Sequence, residues 1–286
     1  MLTIFYKFKE ESEPILDELS RIRRTIVIPL LFHLQTSIAP WTVSRIYDRL
    51  VRFGEKIKGD VDVILFSRGG DPDTAYHIGR MLHRMVEGRL TFVIPRLASS
   101  AATLLSFSGD HIVMSPVSAL TPIDPQIEIA PDRFVSARSL RESHDLIIKE
   151  IMRPDIPKTT VEAFLEKLHL TEIVDYDLLL EHTLDLATTL LKLRMIKDER
   201  KAREIAERFV RGFKYHGRII TIDDAIEIGL KIEEMPQDVW RLVWEFHKRW
   251  EKIATTFVRE GSHIIDLDIG RGVAFIPVEE DEQKGS

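Results

Sequence analysis

Residues 97–126 read LASSAATLLSFSGDHIVMSPVSALTPIDPQ and set the interpretation of the rest of the chain. An apolar strand at residues 90–95 precedes them, and small residues then lead into an apolar helix that opens on Ser100. Small side chains allow a substrate or a neighbouring backbone to come close. The first turn of a helix also leaves N–H groups free, and these favour negative charge. Ser100 is therefore a candidate nucleophile.

The same strand, turn and helix unit recurs over residues 25–125. Residues 25–34 and 61–66 are continuous apolar strands, and strands of this kind that alternate with helices are typical of a parallel sheet built from βαβ units. The second strand runs into the paired glycines Gly69 and Gly70, which can turn backbone N–H groups into a cleft. Because the carboxyl ends of parallel strands share one edge, we expect Gly70 to face Ser100 there.

The remaining segments divide the chain into three predicted domains. Residues 1–24 form an amphipathic helix that packs on the domain or meets a membrane surface or a partner, residues 25–235 form the main domain, and residues 236–286 form a C-terminal extension. Within the second half we predict charged helices at 140–151, 160–168 and 178–210. A short capped helix from Thr221 to Gly229 and a tryptophan-rich helix at 237–258 follow. The chain then forms a β-hairpin at 263–278 and ends in a disordered tail of eight residues.

Composition excludes several classes of protein. The 286 residues are 44% hydrophobic and 30% charged, as in ordinary globular proteins, and the net charge of −6 gives no indication of nucleic-acid binding. The absence of cysteine excludes disulfides, thiol catalysis and cysteine-ligated zinc. The sequence has no signal peptide, membrane-spanning run, metal-binding motif or nucleotide-binding motif. We therefore expect a soluble cytoplasmic protein without a metal or a cofactor.

Five short motifs follow one another along the chain. They are FSRGGD at 66–71, ASSAAT at 98–103, DHIVMSP at 110–116, PIDPQ at 122–126 and TIDDAIEIGL at 221–230. Together they resemble the serine dehydrogenase proteinase family, in the signal-peptide-peptidase-A-like branch of the Clp-protease/crotonase superfamily. The resemblance implies an α/β, Clp/crotonase-like spiral of parallel strands and helices. It also implies a peptidase that acts on peptides or proteins and assembles into a homo-oligomer.

The resemblance assigns roles to three residues. Ser100 matches the nucleophilic serine of the family, and Gly70 and Ala101 match the residues whose backbone N–H groups form the oxyanion hole. The family typically has Ser-Gly-Gly where this chain has Ser-Ala-Ala at 100–102, and Pro-Gly-Gly where it has Arg-Gly-Gly at 68–70. Both changes lie next to the predicted site.

The general base is the part of the site that the motifs leave open. The position of the Clp-type histidine is occupied by Ile-Asp-Pro at 123–125, so we expect no triad of the Clp type. The signal-peptide-peptidase branch uses a lysine, which must be neutral to accept a proton. Lys149 lies among apolar residues that favour a depressed pKa and is the first candidate. Lys158, His144 and His182 are the alternatives.

Three functions are compatible with these residues. The first is a serine peptidase in which Ser100 attacks a peptide carbonyl, Gly70 and Ala101 stabilise the oxyanion and Lys149 is the base. The second is a catalytically inactive member of the fold that acts as an oligomeric scaffold or a peptide-binding protein. The third is a crotonase-type acyl-thioester enzyme, which needs a similar oxyanion hole without a serine nucleophile.

Overall fold

A computed structural model describes residues 1–131, 133–165, 170–259 and 261–279, while the side chains of residues 170–173 lie outside this description. The strands are, in chain order, β1 (Ile26–Phe32), β2 (Val61–Phe66), β3 (Leu90–Val93), β4 (Leu97–Ala98), β5 (His111–Val113), β6 (Ala119–Leu120), β7 (Gln126–Ala130), β8 (Arg133–Ser136), β9 (Ile232–Glu233), β10 (His263–Ile269) and β11 (Gly272–Val278). The α-helices are α1 (Leu2–Arg23), α2 (Pro40–Leu50), α3 (Pro72–Met85), α4 (Ala101–Ser106), α5 (Ala137–Ile151), α6 (Lys158–Leu165), α7 (Leu170–Leu193), α8 (Glu199–Arg211), α9 (Ile222–Ile228) and α10 (Gln237–Ala254).

A mostly parallel sheet forms the centre of the molecule. Its strand order is β10-β11-β1-β2-β3-β5-β9, and β10 is antiparallel to β11 while the other neighbours are parallel. Every residue of β2 is buried, as is expected when helices cover both faces of a parallel sheet. The predicted α/β class and the predicted C-terminal hairpin are confirmed.

Alternate residues of the central strands enter two separate hydrophobic cores. Leu30 and Phe32 of β1 join the core made with α2, α3, α4, α7 and α8, while Val27 and Leu31 join the core made with α1 and α10. This alternation follows from the two-residue period of a strand. It leaves the carboxyl edge of the sheet free for the loops that carry the predicted site.

The N-terminal helix packs on the rest of the chain, which is one of the three alternatives that the sequence left open. Phe8 of α1 lies against the rings of Phe246 and Trp250 of α10, with ring centroids 5.5 and 5.7 Å apart. Arg23 at the end of α1 forms an ion pair with Asp62, a buried carboxylate in β2. The division of the chain into 1–24, 25–235 and 236–286 remains a proposal.

One predicted segment differs from the structure, and one observed segment was not predicted. Residues 126–136 contain the antiparallel hairpin β7–β8, for which no element was predicted. The predicted single helix at 178–210 is two helices, because Asp198 caps a new helix: its carboxylate accepts a hydrogen bond from Lys201 N at 2.9 Å. Of the eight residues of the predicted disordered tail, residues 280–286 lie outside the described part of the chain.

Among the described residues, no helix combines the length and the apolar character that crossing a membrane requires.

Candidate active site

Ser100 occupies a strained turn between β4 and α4. Its backbone has a positive φ of 53°, which is uncommon for a residue other than glycine, and it immediately precedes the first residue of α4. The Ser100 carbonyl accepts a hydrogen bond from Leu104 N at 3.0 Å, which begins the helix. The sequence therefore placed Ser100 correctly at the start of the helix, and the turn holds it at the carboxyl edge of the sheet.

The glycine loop after β2 packs directly on this turn. A Cβ atom added to Gly69 would lie 2.5 Å from Ser99 O and 3.0 Å from Ser100 Cβ, and the φ of Gly69 is +97°. Gly70 is as tightly confined, because an added Cβ would lie 2.2 Å from the carbonyl oxygen of Ile38. Only glycine fits these two positions. The loop of Gly69 and Gly70 therefore contacts the Ser100 turn, as we expected from the shared edge of the strands.

Two backbone N–H groups near this contact have no hydrogen-bond partner among the described residues. Gly69 N donates to Ser67 Oγ at 3.0 Å and Asp71 N donates to Ile38 O at 2.8 Å. Between them, Gly70 N–H makes no hydrogen bond to any of the described residues, and the same holds for Ala101 N–H in the first turn of α4. Two free donors on loops in direct contact can bind an anionic oxygen.

A hydroxyl network ties the proline-rich loop to Ser100. Thr121 Oγ1 accepts a hydrogen bond from Ser100 N at 2.9 Å and lies 2.9 Å from Ser99 Oγ. The backbone N–H of Thr121 donates in turn to Thr103 Oγ1 of α4 at 3.2 Å. The loop that begins at Thr121 is therefore fixed relative to the candidate nucleophile.

The same loop carries a buried aspartate that holds a histidine. Asp124 Oδ1 lies 2.6 Å from Nδ1 of His216, and the Asp124 side chain is 7% exposed while that of His216 is 29% exposed. The second carboxylate oxygen accepts from Gln126 Nε2 at 3.3 Å. A carboxylate on Nδ1 fixes the tautomer of the ring with the proton on that atom, and leaves Nε2 able to accept a proton.

Backbone pairing brings His216 to this loop. Leu120 and Ile220 exchange two hydrogen bonds, 3.0 Å from Leu120 N to Ile220 O and 2.9 Å from Ile220 N to Leu120 O. Leu120 precedes Thr121, which binds Ser100, and Ile220 lies four residues after His216. Nucleophile, aspartate and histidine thus belong to one set of hydrogen-bonded loops.

The predicted base, Lys149, lies in a different environment from the one inferred from its neighbours. It is an exposed residue of α5, and the apolar side chains around it are exposed too: Leu146 is 61% exposed and Ile148 is 41% exposed. Within one copy of the chain, these side chains therefore do not desolvate Lys149. The assignment of Lys149 as the base stays a prediction. It requires that another molecule, such as a second copy of the chain, covers the Lys149 side chain.

The alternative bases are all engaged elsewhere. Lys158 is a 90% exposed residue that pairs with Glu162. His144 is buried, with Nδ1 2.9 Å from Leu140 O, and lies against the ring of Tyr176. His182 Nε2 lies 2.9 Å from Asp73 on the exposed surface.

Sequence reasoning missed His216. Its signal was its position five residues before Thr221, where the TIDDAIEIGL motif begins, in a loop with glycine and no helical pattern. Asp124 lay inside the PIDPQ motif, but its partner is 92 residues away and could not be found by local spacing. Within the described ranges, no three His, Asp or Glu side chains come together in a metal-binding arrangement.

Comparison with curated proteins finds uncharacterized relatives from Methanocaldococcus jannaschii. Uncharacterized protein MJ0137 is 25% identical over 250 residues, which are 82% of this chain and 78% of the relative. Uncharacterized protein MJ1495 is 24% identical over 187 residues, which are 64% of this chain and 56% of the relative.

Solved structures similar to this chain include two mutants of the 1510-N membrane-bound stomatin-specific protease. The serine-to-alanine mutant is 12% identical with a TM-score of 0.47, over 78% of this chain and 82% of that one. The lysine-to-alanine mutant, in complex with a substrate peptide, is 10% identical with a TM-score of 0.46, over 90% and 93% of the two chains.

A family model covers nearly the whole chain. The model of the ClpP-like SDH-type serine proteinases matches residues 7–258. This match confirms the resemblance drawn from the five motifs. It also identifies the α/β fold as Clp/crotonase-like. The chain belongs to the ClpP-like SDH-type serine proteinase family, and its reaction class is that of a serine-type peptidase.

Proposed function

We propose that the protein hydrolyses peptide bonds with Ser100 as the nucleophile and His216 as the general base, oriented by Asp124. The observation that carries this proposal is the 2.6 Å hydrogen bond between His216 Nδ1 and Asp124 Oδ1, in the loop whose Thr121 binds Ser100 N–H. Along the chain, the nucleophile Ser100 comes first, the orienting carboxylate Asp124 second and the base His216 third. This order differs from that of the Clp type, and triads are recognised by geometry and not by order.

The reaction that these groups support has two halves. Ser100 Oγ bonds to the peptide carbonyl carbon while its proton passes to His216 Nε2, and the carbonyl oxygen becomes an oxyanion. When this intermediate collapses, the C–N bond breaks and His216 gives the proton to the leaving amine. Water then attacks the acyl-enzyme, with His216 as base again, and releases the acid and Ser100.

The free N–H groups of Gly70 and Ala101 support the assignment of the oxyanion hole. They lie on loops that meet at Gly69, so both are fixed before substrate binds. Fixed donors of this kind stabilise the developing negative charge without reorganisation; removing one typically costs about 10²–10³ in rate. Asp124 contributes by aligning the imidazole and by stabilising its charged form.

A fluorophosphonate probe, which reacts with activated serine hydroxyls, tests the proposal. We expect labelling of the wild type, no labelling of Ser100→Ala, and a large loss of the labelling rate in His216→Ala. Equal labelling of Ser100→Ala contradicts the assignment of the nucleophile. A chain that is not labelled in any form, although folded, favours the inactive scaffold over the peptidase.

The helical region between β6 and α8 supports the expected homo-oligomer. Large hydrophobic side chains are exposed there, namely Ile129, Phe134, Leu146, Ile148, Met152, Leu165, Val174 and Leu178. Large exposed apolar patches are typical of protein interfaces, and these side chains supply the apolar groups for one. Residues 137–165 also carry five basic and five acidic side chains, although the whole chain has a net charge of −6. Because a two-fold interface pairs a surface with itself, a neutral surface avoids repulsion there.

Oligomer formation through this surface can be measured directly. Leu146→Glu combined with Met152→Glu is expected to lower the molar mass in light scattering, while Ile226→Glu, at an exposed position on α9, leaves it unchanged. An unchanged mass in the first variant contradicts this interface.

The predicted cytoplasmic localisation and the peripheral membrane association of the N-terminal helix remain predictions, and liposome flotation tests the second.

A further inference from the structure

A large groove lies between α2 and α3. We call it the α2–α3 groove; Val43 and Tyr47 of α2 form one wall, and Thr74, Met81 and Met85 of α3 form the other. Its volume is about 1020 Å³. A groove of this size accommodates several residues of a peptide.

The groove begins beside the glycine loop, because Asp71 lines it, whereas Gly70, Ser100 and Ala101 are not among its lining residues. Asp71, which follows Gly70, borders the near end and caps α3 by accepting a hydrogen bond from Thr74 N at 2.7 Å. Pro40 borders the same end from α2. Gly70, which carries one of the proposed oxyanion donors, is therefore one residue in the chain from this end of the groove.

The far end of the groove carries three basic side chains, Lys56, Arg80 and Arg84, and one acidic side chain, Glu55, so its net charge is positive. Arg80 and Arg84 are exposed and lie one helical turn apart on α3. Neither guanidinium forms an ion pair with any side chain in the part of the chain that the structure describes. Arg80 lies over the ring of Tyr76 at 5.9 Å, and Lys56 Nζ is held by the carbonyl oxygen of Arg84. The Arg80 and Lys56 side chains are therefore held in place, and the Arg80 and Arg84 guanidinium charges are available to a ligand.

The length of α3 gives the distance between the two ends of the groove. At about 1.5 Å per residue, Arg80 and Arg84 lie about 14 and 20 Å along the helix from Asp71. An extended peptide covers these distances with about four and six residues. The walls of the groove are apolar at Val43, Met81 and Met85. Methionine side chains are flexible, so these walls can adapt to different peptide residues.

We propose that the α2–α3 groove binds one side of the substrate and selects peptides with an acidic residue four to six positions from the scissile bond. The proposal rests on the peptidase function proposed above. Carboxylates pair well with arginine, whose planar guanidinium donates two parallel hydrogen bonds. The positive end of the groove therefore favours aspartate or glutamate over their neutral amides and disfavours lysine.

Two measurements test the proposal. The first compares kcat/KM for fluorogenic dodecapeptides that are cleaved at their centre and carry Glu, Gln or Lys at the fourth, fifth or sixth position on either side. For the wild type we expect about tenfold selection of Glu over Gln on one side, as a charge-assisted hydrogen bond provides. In Arg80→Glu/Arg84→Glu the selection should reverse in favour of Lys.

The second measurement does not depend on catalysis. Fluorescence anisotropy records binding of the same peptides to Ser100→Ala, with and without Arg80→Glu/Arg84→Glu, and the charge reversal should weaken binding of the Glu peptide about tenfold. The matched control is Arg200→Glu/Arg241→Glu, which changes the net charge equally at exposed residues of α8 and α10. Equal binding of Glu, Gln and Lys peptides, or an equal effect of the control, overturns the groove proposal. Absence of fluorophosphonate labelling contradicts only the peptidase proposal.

Discussion

His216 Nδ1 lies 2.6 Å from Asp124 Oδ1, although 92 residues separate the two in the chain. The carboxylate is nearly buried and Thr121, three residues before it, binds the backbone N–H of Ser100. An aspartate that orients an imidazole is part of the triads by which several unrelated peptidase folds activate a serine hydroxyl group.

Replacement of this pair should remove most of the reactivity of Ser100. We expect His216→Ala to lower the fluorophosphonate labelling rate by about 10³ or more, and Asp124→Asn by about 10² or more, because each disturbs proton transfer. The control is His182→Ala, which removes a histidine from an exposed pair with Asp73. Full reactivity in His216→Ala, with an unchanged melting temperature, contradicts the role of the histidine.

Lys149→Met separates the two candidate bases. Since Lys149 is exposed and its apolar neighbours do not cover it, we expect the labelling rate to stay within about twofold of the wild type. The molar mass is measured alongside, because Lys149 lies on the proposed oligomer surface. A loss of 10² or more at an unchanged molar mass indicates the lysine dyad in place of His216.

Gly69→Ala tests the close approach of the two loops at the site. The added Cβ would lie 2.5 Å from Ser99 O at a φ of +97°, so we expect a loss of stability of about 2–4 kcal/mol, from strain and displacement together, and loss of labelling. The matched control is Gly59→Ala, with a φ of +98° and nothing within 4 Å of the added atom. This control should show only the strain, about 1 kcal/mol, with full labelling. Equal effects of the two variants contradict the steric argument.

A buried histidine makes the stability depend on pH. Burial lowers the pKa of His247 from 6.5 to about 4; Glu251 raises it, while Arg96 and Lys248 lower it further. Its ring lies between Phe66 and Trp244, and both ring nitrogens are buried without a hydrogen-bond partner in the described structure. As the pH falls from 6.5 to 4, the unfolded chain binds a proton that the folded chain does not. The free energy of unfolding should therefore fall by about 3 kcal/mol over this range.

His247→Phe checks this expectation. Urea unfolding between pH 4 and pH 7 should show a weaker pH dependence in the variant, because phenylalanine fits the same aromatic environment and does not titrate. Burial also lowers the pKa of His33, so part of the dependence persists. The same dependence in variant and wild type shows that His247 does not cause it.

The sheet and the place of Ser100 at a strand-to-helix turn were predictable because their signals are local. Continuous apolar runs identified β1 and β2, with β2 found at its observed bounds, and small residues beside Ser100 identified the turn. The contact of Gly69 with this turn followed from the rule that parallel strands share a carboxyl edge. These features depend on residues within a few positions of each other or on a general rule of topology.

The base that we propose depends on tertiary pairing and could not be predicted in this way. His216 reaches Asp124 because Ile220 pairs with Leu120, a contact between segments about a hundred residues apart. The apolar neighbours of Lys149 suggested burial, but a local pattern does not reveal whether another element covers it. Leu146 and Ile148 are exposed in the single chain, so the basis of the lysine prediction is absent there.

The labelling rate of His216→Ala with a fluorophosphonate, measured beside wild type, Ser100→Ala and Lys149→Met, tests the central claim most directly. We predict rapid labelling of the wild type and of Lys149→Met, none of Ser100→Ala, and a rate lower by about 10³ in His216→Ala. Labelling of folded His216→Ala at the wild-type rate would contradict the assignment of His216 as the base that activates Ser100.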